Sequence, residues 1–282
     1  MIISKMKMNI SVLNVCVCLV VCLSACSQTK KAQVETSTNA LPWNGKQAAV
    51  VLTYDDALNV HLTNAVPALD SVGLKGTFYL SDYFGGFRAQ LPKWKVAAAA
   101  GHELANHTVY HPCAGGPGRE FVKPDYDLNN YSLRRITDEI KTMNTLLYAI
   151  DGKTSRTFAF PCADTKVRDT AYIGGVQNEF VAARAVRSEM PTINNVQLIN
   201  LPSYMINGEP GEKLIALVQQ AVAKKSLLVF LFHGVGGEHG LNVSLEAHSK
   251  LLRYLKQHQK DIWIAPMLDV AEYVKNVQST KR

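Results

Sequence analysis

Four short stretches of the chain carry side chains able to do chemistry. Thr53-Tyr54-Asp55-Asp56 sets two carboxylates side by side. Buried without partners they would be costly, and a bound cation would offset that cost. Adjacent side chains point in different directions, so one could ligate an ion while the other acts on a water. The pair could equally cap a following helix. His107 and His111 are spaced i, i+4, which on a helical turn puts both imidazoles on one face and lets them grip a divalent ion. Two solvated surface histidines would look the same in sequence. His233 follows the strongest strand-like run of the chain, residues 226–232, at the strand end where parallel barrels put catalytic groups. Finally, residues 158–164 read Phe-Ala-Phe-Pro-Cys-Ala-Asp. A strand running into a proline turn can expose a backbone N–H to an oxyanion, here that of Cys162. Asp164 could orient another group or cap the turn, and Glu103 suits packing better than ligation.

The elements that must position these residues alternate. Strand-like runs are expected at 48–53, 75–80, 102–104, 157–160, 180–186, 226–232 and 262–264. Helical spacing covers 61–72, 92–100, 133–150, 213–223, 241–257 and 267–277. In the helix over 133–150, Ile136, Ile140, Met143, Leu146 and Leu147 share one side. Residues 112–130, rich in Gly, Pro and Asp, form a long loop of the kind that often carries function. Strand–helix alternation with chemistry at strand ends argues for an α/β fold with a parallel sheet.

The chain has 282 residues and a formal net charge of +7. Its basic residues are scattered and no basic run is interleaved with aromatics, which argues against nucleic acid as a partner. Residues 1–25 are a unit of their own: Lys5 and Lys7, an apolar run over 12–23, then Leu23-Ser24-Ala25-Cys26. This is the pattern of an export signal, too short to span a bilayer comfortably. Leu-Ser-Ala-Cys resembles the recognition box of bacterial lipoproteins, which implies a lipid on Cys26 as the membrane anchor. With Ser27 following, a Gram-negative host would sort such a lipoprotein to the outer membrane. Residues 26–42 read as a polar tether and 43–282 as a single catalytic domain. Four of the six cysteines fall in or at the end of the signal. Cys113 and Cys162 remain, each directly after a proline; export permits a disulfide between them, and two free thiols are the alternative.

Taken together and in order, the motifs resemble those of the polysaccharide deacetylases, carbohydrate esterase family four, over roughly residues 46–276. Thr53-Tyr54-Asp55-Asp56-Ala57 is similar to that family's first motif. Gly101-His102-Glu103 with Asn106-His107-Thr108 to His111 is similar to the second, and residues 158–163 to a variant of the third. His233 matches the histidine of the last motif, and Ile262-Trp263-Ile264-Ala265-Pro266 to Tyr273 the closing strand and helix. The resemblance implies a distorted (β/α)7 barrel of the TIM type. It implies Asp56, His107 and His111 as ligands of one divalent metal, Zn²⁺ with Co²⁺ or Ni²⁺ as substitutes. Asp55 would be the catalytic base and His233 the acid, and the substrate an O- or N-acetylated polysaccharide or oligosaccharide.

The chain departs from the family pattern at three points. Ala159 stands where the third motif usually has Arg, and Arg184 is the candidate to support the base instead. The fourth, tryptophan-bearing motif is not recognisable, which leaves Trp263 or Tyr204 to line the acetyl pocket. Ala57 and Ala163 replace common glycines. Two other readings use the same residues: a non-catalytic carbohydrate-binding lipoprotein, and a metal-dependent amidohydrolase of small molecules. No obligate protein partner is evident.

Overall fold

The structure is a computed structural model and describes residues 41–280. The expected signal, Cys26 and residues 26–40 of the tether lie outside the described residues. Among the described residues, no helix is long and apolar enough to cross a membrane.

β1 (Ala48–Asp55) is buried along its whole length. Its side chains alternate between two faces. Ala48, Val50, Leu52 and Tyr54 enter the largest apolar cluster. Ala49 and Val51 enter a second one, with Met267, Val270 and Val274 of the last helix. Continuing that alternation, Thr53 and Asp55 share a face with Ala49 and Val51, so this face turns from apolar to polar toward the strand's carboxyl end.

Seven further strands join it: β2 (Thr77–Leu80), β3 (Glu103–Asn106), β4 (Thr157–Ala159), β5 (Ala182–Arg184), β6 (Tyr204–Met205), β7 (Leu227–Phe232) and β8 (Ile262–Ile264). All pairings between them are parallel, in the order β5-β4-β3-β2-β1-β7-β6. β8 pairs with Ala48–Val50 on the edge of β1 that β2 takes further along. The result is a curled, open parallel sheet, a half-barrel of the distorted kind the resemblance implied. One segment reaches both edges: Leu201 bridges Arg184 of β5, and Tyr204 pairs with Phe230 of β7. The sheet has eight strands against the seven expected, because the two-residue β6 leaves no periodic signal in sequence.

The helices form where spacing and caps agree. α1 (Val66–Ser71) follows a π-helical turn over His61–Ala65. α2 (Gly86–Ala89) leads into α3 (Leu91–Ala99). α4 (Leu133–Asp151) starts at Ser132, whose hydroxyl accepts the Arg135 N–H, and ends at Gly152 with φ +69°. It buries Ile136, Ile140, Met143 and Leu147. Leu146, expected on that side, is exposed. α5 (Gly211–Ala223) and α6 (Leu245–Gln257) pack on the outer face of the sheet, and α7 (Met267–Ser279) follows β8. α6 begins four residues later than its periodicity suggested, because Asn242–Val243 pair with Gly234–Val235 before Ser244 caps the helix.

Glu103 lies in the core of this frame and not in a site. Thr77 and Thr157 hydroxyls and the Leu268 N–H all donate to its carboxylate, at 2.8, 2.5 and 2.9 Å. It thereby fastens the start of α7 to β2 and β4.

Candidate active site

The strand ends bring the expected residues to one place. Asp55 closes β1, and Asp56 follows in a left-handed conformation (φ +83°) with Ala57 also left-handed (φ +54°). For residues with a Cβ this is strained backbone, about 1–3 kcal/mol each. The turn swings the Asp56 carboxylate beside that of Asp55. It is packed tightly: a Cβ on Gly86 would sit 2.0 Å from the Ala57 carbonyl oxygen.

His107 and His111 meet the carboxylates, but not through a helical turn. The stretch after β3 is irregular, with Thr108 at φ +62° and His111 at φ +49°. The Thr108 N–H donates to Asn106 Oδ1 at 2.8 Å, and the His111 N–H to Thr108 Oγ1 at 2.9 Å. Asn106 is itself held by the Ile140 carbonyl and Asn144 on α4. This folded-back loop replaces the expected helix and brings the two rings to a centroid distance of 4.7 Å.

The donor set fits one divalent cation. One ligand atom each from Asp56, His107 and His111 lies within 4.8 Å of the others. Asp56 Oδ1 is 3.2 Å from His111 Nε2 and 3.6 Å from His107 Nε2, yet it is buried without a hydrogen-bond partner. His107 Nδ1 donates to the Ala159 carbonyl at 2.8 Å, which leaves the Nε2 lone pair for a ligand. Burial, and after it the Asp55 charge, raises the Asp56 pKa well above the usual carboxylate range. Burial pushes His107 down to about 3 and His111 well below its ordinary value. Without a cation the carboxylate resists ionisation; the imidazoles are already in the neutral form that ligates metals.

Arg184 lies against Asp55. Its Nη2 donates to Asp55 Oδ2, and its guanidinium lies 4.9 Å from the centroid of the Tyr79 ring. Both Asp55 and Arg184 are buried, so each compensates the other's charge. His233 stands across the site, its Nε2 3.9 Å from Asp56 Oδ2. Burial lowers its pKa to about 3.

Cys113 and Cys162 form a disulfide, with Cα atoms 5.7 Å apart. Their sulfurs lie near His111, but joined to each other they offer no thiolate to a metal. The bridge ties the His111 loop to the turn after β4. That turn is formed by the Ala163 and Asp164 N–H groups, which bond to Phe160 and Pro161; the Cys162 N–H takes no part in it, and Cys162 lines the cavity.

Three expected site residues fall elsewhere. Asp164 accepts the Ala114 N–H at 2.8 Å and Arg119 Nη1, so it clamps the long loop and does not line the cavity. Trp263 pairs with Ala49, six residues before Asp55, about 20 Å down the strand at 3.3 Å per residue, where it packs on Tyr273. Tyr204 points into the large apolar cluster, and its neighbour Met205 lines the cavity in its place. Both misplacements follow from strand register and alternation, which sequence leaves open.

The cavity measures about 780 Å³. Tyr83, Phe84, Phe121 and Tyr126 form one wall, with Tyr83 set edge-on to both Phe84 and Tyr126. His239 also lines it and was not anticipated. Its sequence signal, a histidine among glycines six residues after His233, matches no ligand spacing.

The comparisons agree with this geometry. The family profile described as polysaccharide deacetylase matches residues 44–173, a span that holds Asp55, Asp56, His107 and His111 but stops short of Arg184 and His233. The peptidoglycan-N-acetylmuramic acid deacetylase PdaA of Bacillus subtilis is 24% identical over 171 residues, 60% of this chain and 54% of that protein. The chain thus spans about half the length of this curated relative. Among solved structures, a candidate polysaccharide deacetylase from Mycobacterium smegmatis superposes with a TM-score of 0.60 at 15% identity, covering 83% of this chain and 92% of that one. PdaA from Bacillus subtilis, described as a family 4 carbohydrate esterase, gives 0.51 at 15% identity, covering 79% and 80%. The profile match covers less than half of the chain, and the two solved structures share its fold.

Proposed function

We propose that the protein is a metal-dependent hydrolase that removes acetyl groups from a polysaccharide or oligosaccharide. One observation carries this reading: Asp56, His107 and His111 converge on a common point beside a second carboxylate, Asp55, held by Arg184. A divalent cation there, Zn²⁺ by its fit to one carboxylate and two imidazoles, supplies a Lewis acid and lowers the pKa of water.

The chain's own residues do the rest. Asp55 takes the proton of the attacking water, its orientation fixed by Arg184. The proton released by the attacking water passes from Asp55 to His233, which is neutral at rest, and from there to the leaving oxygen or nitrogen. The Cys162 N–H, at the cavity wall, donates to the acyl oxygen as charge gathers there. The wall of Tyr83, Phe84 and Phe121 shields the site from water and offers ring faces to the substrate.

Acetate release from a panel of O- and N-acetylated glycans, with and without chelator, tests the reading. Release that stops when the metal is removed and returns when it is restored is expected. Release unchanged after verified removal contradicts it. The largely apolar wall also favours a second reading, hydrolysis of an acylated small molecule; including such compounds in the panel separates the two.

We further propose that the chain is exported and anchored through a lipid on Cys26, on the strength of Lys5, Lys7, the apolar run and the Leu-Ser-Ala-Cys box. Labelling with a radioactive fatty acid in cells should mark the wild type and not Cys26→Ser; equal labelling of both contradicts the anchor.

A further inference from the structure

The two oxygens of the Asp56 carboxylate face different surroundings. Oδ1 faces His107 and His111. Oδ2 faces two other imidazoles, His233 and His239, each with Nε2 at 3.9 Å. These two rings stack, with centroids 4.7 Å apart and planes inclined by 13°. Distance therefore does not single out His233 as the one imidazole acting on this side.

Hydrogen bonding does distinguish them. The Leu241 N–H donates to His239 Nδ1 at 3.0 Å. The Leu241 carbonyl, 3.3 Å from the same nitrogen, already accepts the Gly234 N–H at 3.0 Å. A ring nitrogen that accepts carries no proton in the neutral imidazole. The N–H contact is the shorter of the two and its donor is fixed, so Nδ1 is assigned as the acceptor, which leaves the proton of the neutral ring on Nε2, toward Asp56. His233 Nδ1, by contrast, is buried with no partner, so no hydrogen bond selects its tautomer.

The loop that carries His239 is fastened for this purpose. Glu238 accepts the Val60 N–H and Asn59 Nδ2, both at 2.7 Å, which ties the loop to the segment just after Asp56. Asn242 Oδ1 accepts the Gly237 N–H at 2.8 Å. The fold-back is close: a Cβ on Gly234 would lie 2.3 Å from the Gly237 carbonyl oxygen.

We propose that His239 is a further catalytic residue, whose Nε2–H donates a hydrogen bond to the leaving atom of the scissile acyl bond beside His233. This rests on the deacetylase reading above. As the bond from the acyl carbon to the leaving oxygen or nitrogen breaks, its electron pair passes to that atom. The proton freed from the attacking water reaches that atom through His233, while His239 keeps its own and stabilises the charge.

Three forms of the full, metal-loaded chain test this: wild type, His239→Phe, which keeps a flat ring on His233 but removes the donor, and His239→Gln, whose amide nitrogen reaches toward the Nε2 position. In His239→Phe, kcat for acetate release should fall about 100-fold with KM within about 3-fold, and metal content should be unchanged. His239→Gln should recover to within about 10-fold of wild type. An unchanged kcat in His239→Phe, or equal loss in both variants, overturns the proposal. Nitrogen NMR of the imidazoles gives a readout independent of turnover. His239 should show the Nε2–H tautomer and a shift of that proton when acetate is added; an Nδ1–H tautomer overturns the proposal. A metal-loaded wild type that releases no acetate from any glycan contradicts the deacetylase reading instead, and the imidazole spectrum then decides the case of His239.

Discussion

The two rims of the site are built by different means. The rim carrying His107 and His111 is irregular chain with left-handed turns at Thr108, His111, Cys162 and Ala163, stapled by the Cys113–Cys162 disulfide and clamped by Asp164 on Arg119. The rim carrying His233 and His239 sits at the end of a fully buried strand and is fastened by hydrogen bonds from Asn59 and Val60 to Glu238. Among the described residues, seven of the ten non-glycine positions with positive φ lie in these loops or at Asp56 and Ala57, so backbone strain is concentrated around the cavity. The rim that must hold two ligands in strained backbone has a covalent cross-link. The rim to which we assign proton handling is held by a carboxylate and close-packed glycines. On that proposal, ligand placement and proton handling are supported separately, on the two sides of Asp56.

If that division holds, perturbations of the two rims should have different signatures. The largest effect is expected between them, at the base. Asp55→Asn should lower kcat by roughly 10²–10⁴-fold with full metal content, measured by acetate release and metal analysis on the same sample; near wild-type turnover would remove Asp55 from its role. Next comes the staple. Replacing Cys113 and Cys162 together with Ser opens a loop of separation 49, which should cost about 4 kcal/mol in denaturant unfolding and weaken metal binding. Stability lost with metal affinity intact would show that the bridge does not serve the ligand rim.

Acid should also act beneath the rim that carries His233. His61, bonded to the His233 carbonyl at 2.8 Å, and His248, bonded to Tyr54 at 2.8 Å, are buried, and burial lowers both to about 4 from 6.5. Above pH 6.5 they are neutral in the folded and unfolded states, and stability is complete. Between 6.5 and about 4 the unfolded chain binds protons that the folded chain refuses, so stability falls as pH falls, by up to about 3 kcal/mol per histidine. Denaturant unfolding at pH 7.5 and 5 should show the loss, and His248→Gln should reduce it; a flat profile would contradict the assignment. The smallest effect belongs to Glu238, which fastens the His239 loop. Glu238→Gln should cost about 1–3 kcal/mol and lower kcat without releasing metal, the reverse of the pattern expected for the staple.

What could be read from sequence follows the same division. Continuous apolar character made β7 legible, and apolar spacing over 133–150 made α4 legible, because these signals are local. The spacing of His107 and His111 pointed to a shared ligand, yet the local shape was misjudged: an i, i+4 pair suggests a helix, and the turn that replaces it depends on Asn106 reaching across to α4. Ala159 in place of the usual Arg pointed to Arg184 as a substitute, and Arg184 does contact Asp55, since a buried carboxylate needs a compensating cation. Trp263 and Tyr204 were candidates for the acetyl pocket on residue type alone, and strand register and alternation put them elsewhere; of the two roles open to Asp164, loop packing shows it holding backbone. His239 was missed because its position depends on contacts from Leu241 and Glu238 that no spacing rule encodes.

The central claim is that Asp56, His107 and His111 together hold one divalent cation. The direct measurement is the zinc content of wild type and of Asp56→Ala after loading and dialysis, with folding of both checked by circular dichroism. One ion per chain in the wild type and none in folded Asp56→Ala is the predicted result. An equal ion count in both, or no retained ion in the wild type, would contradict it.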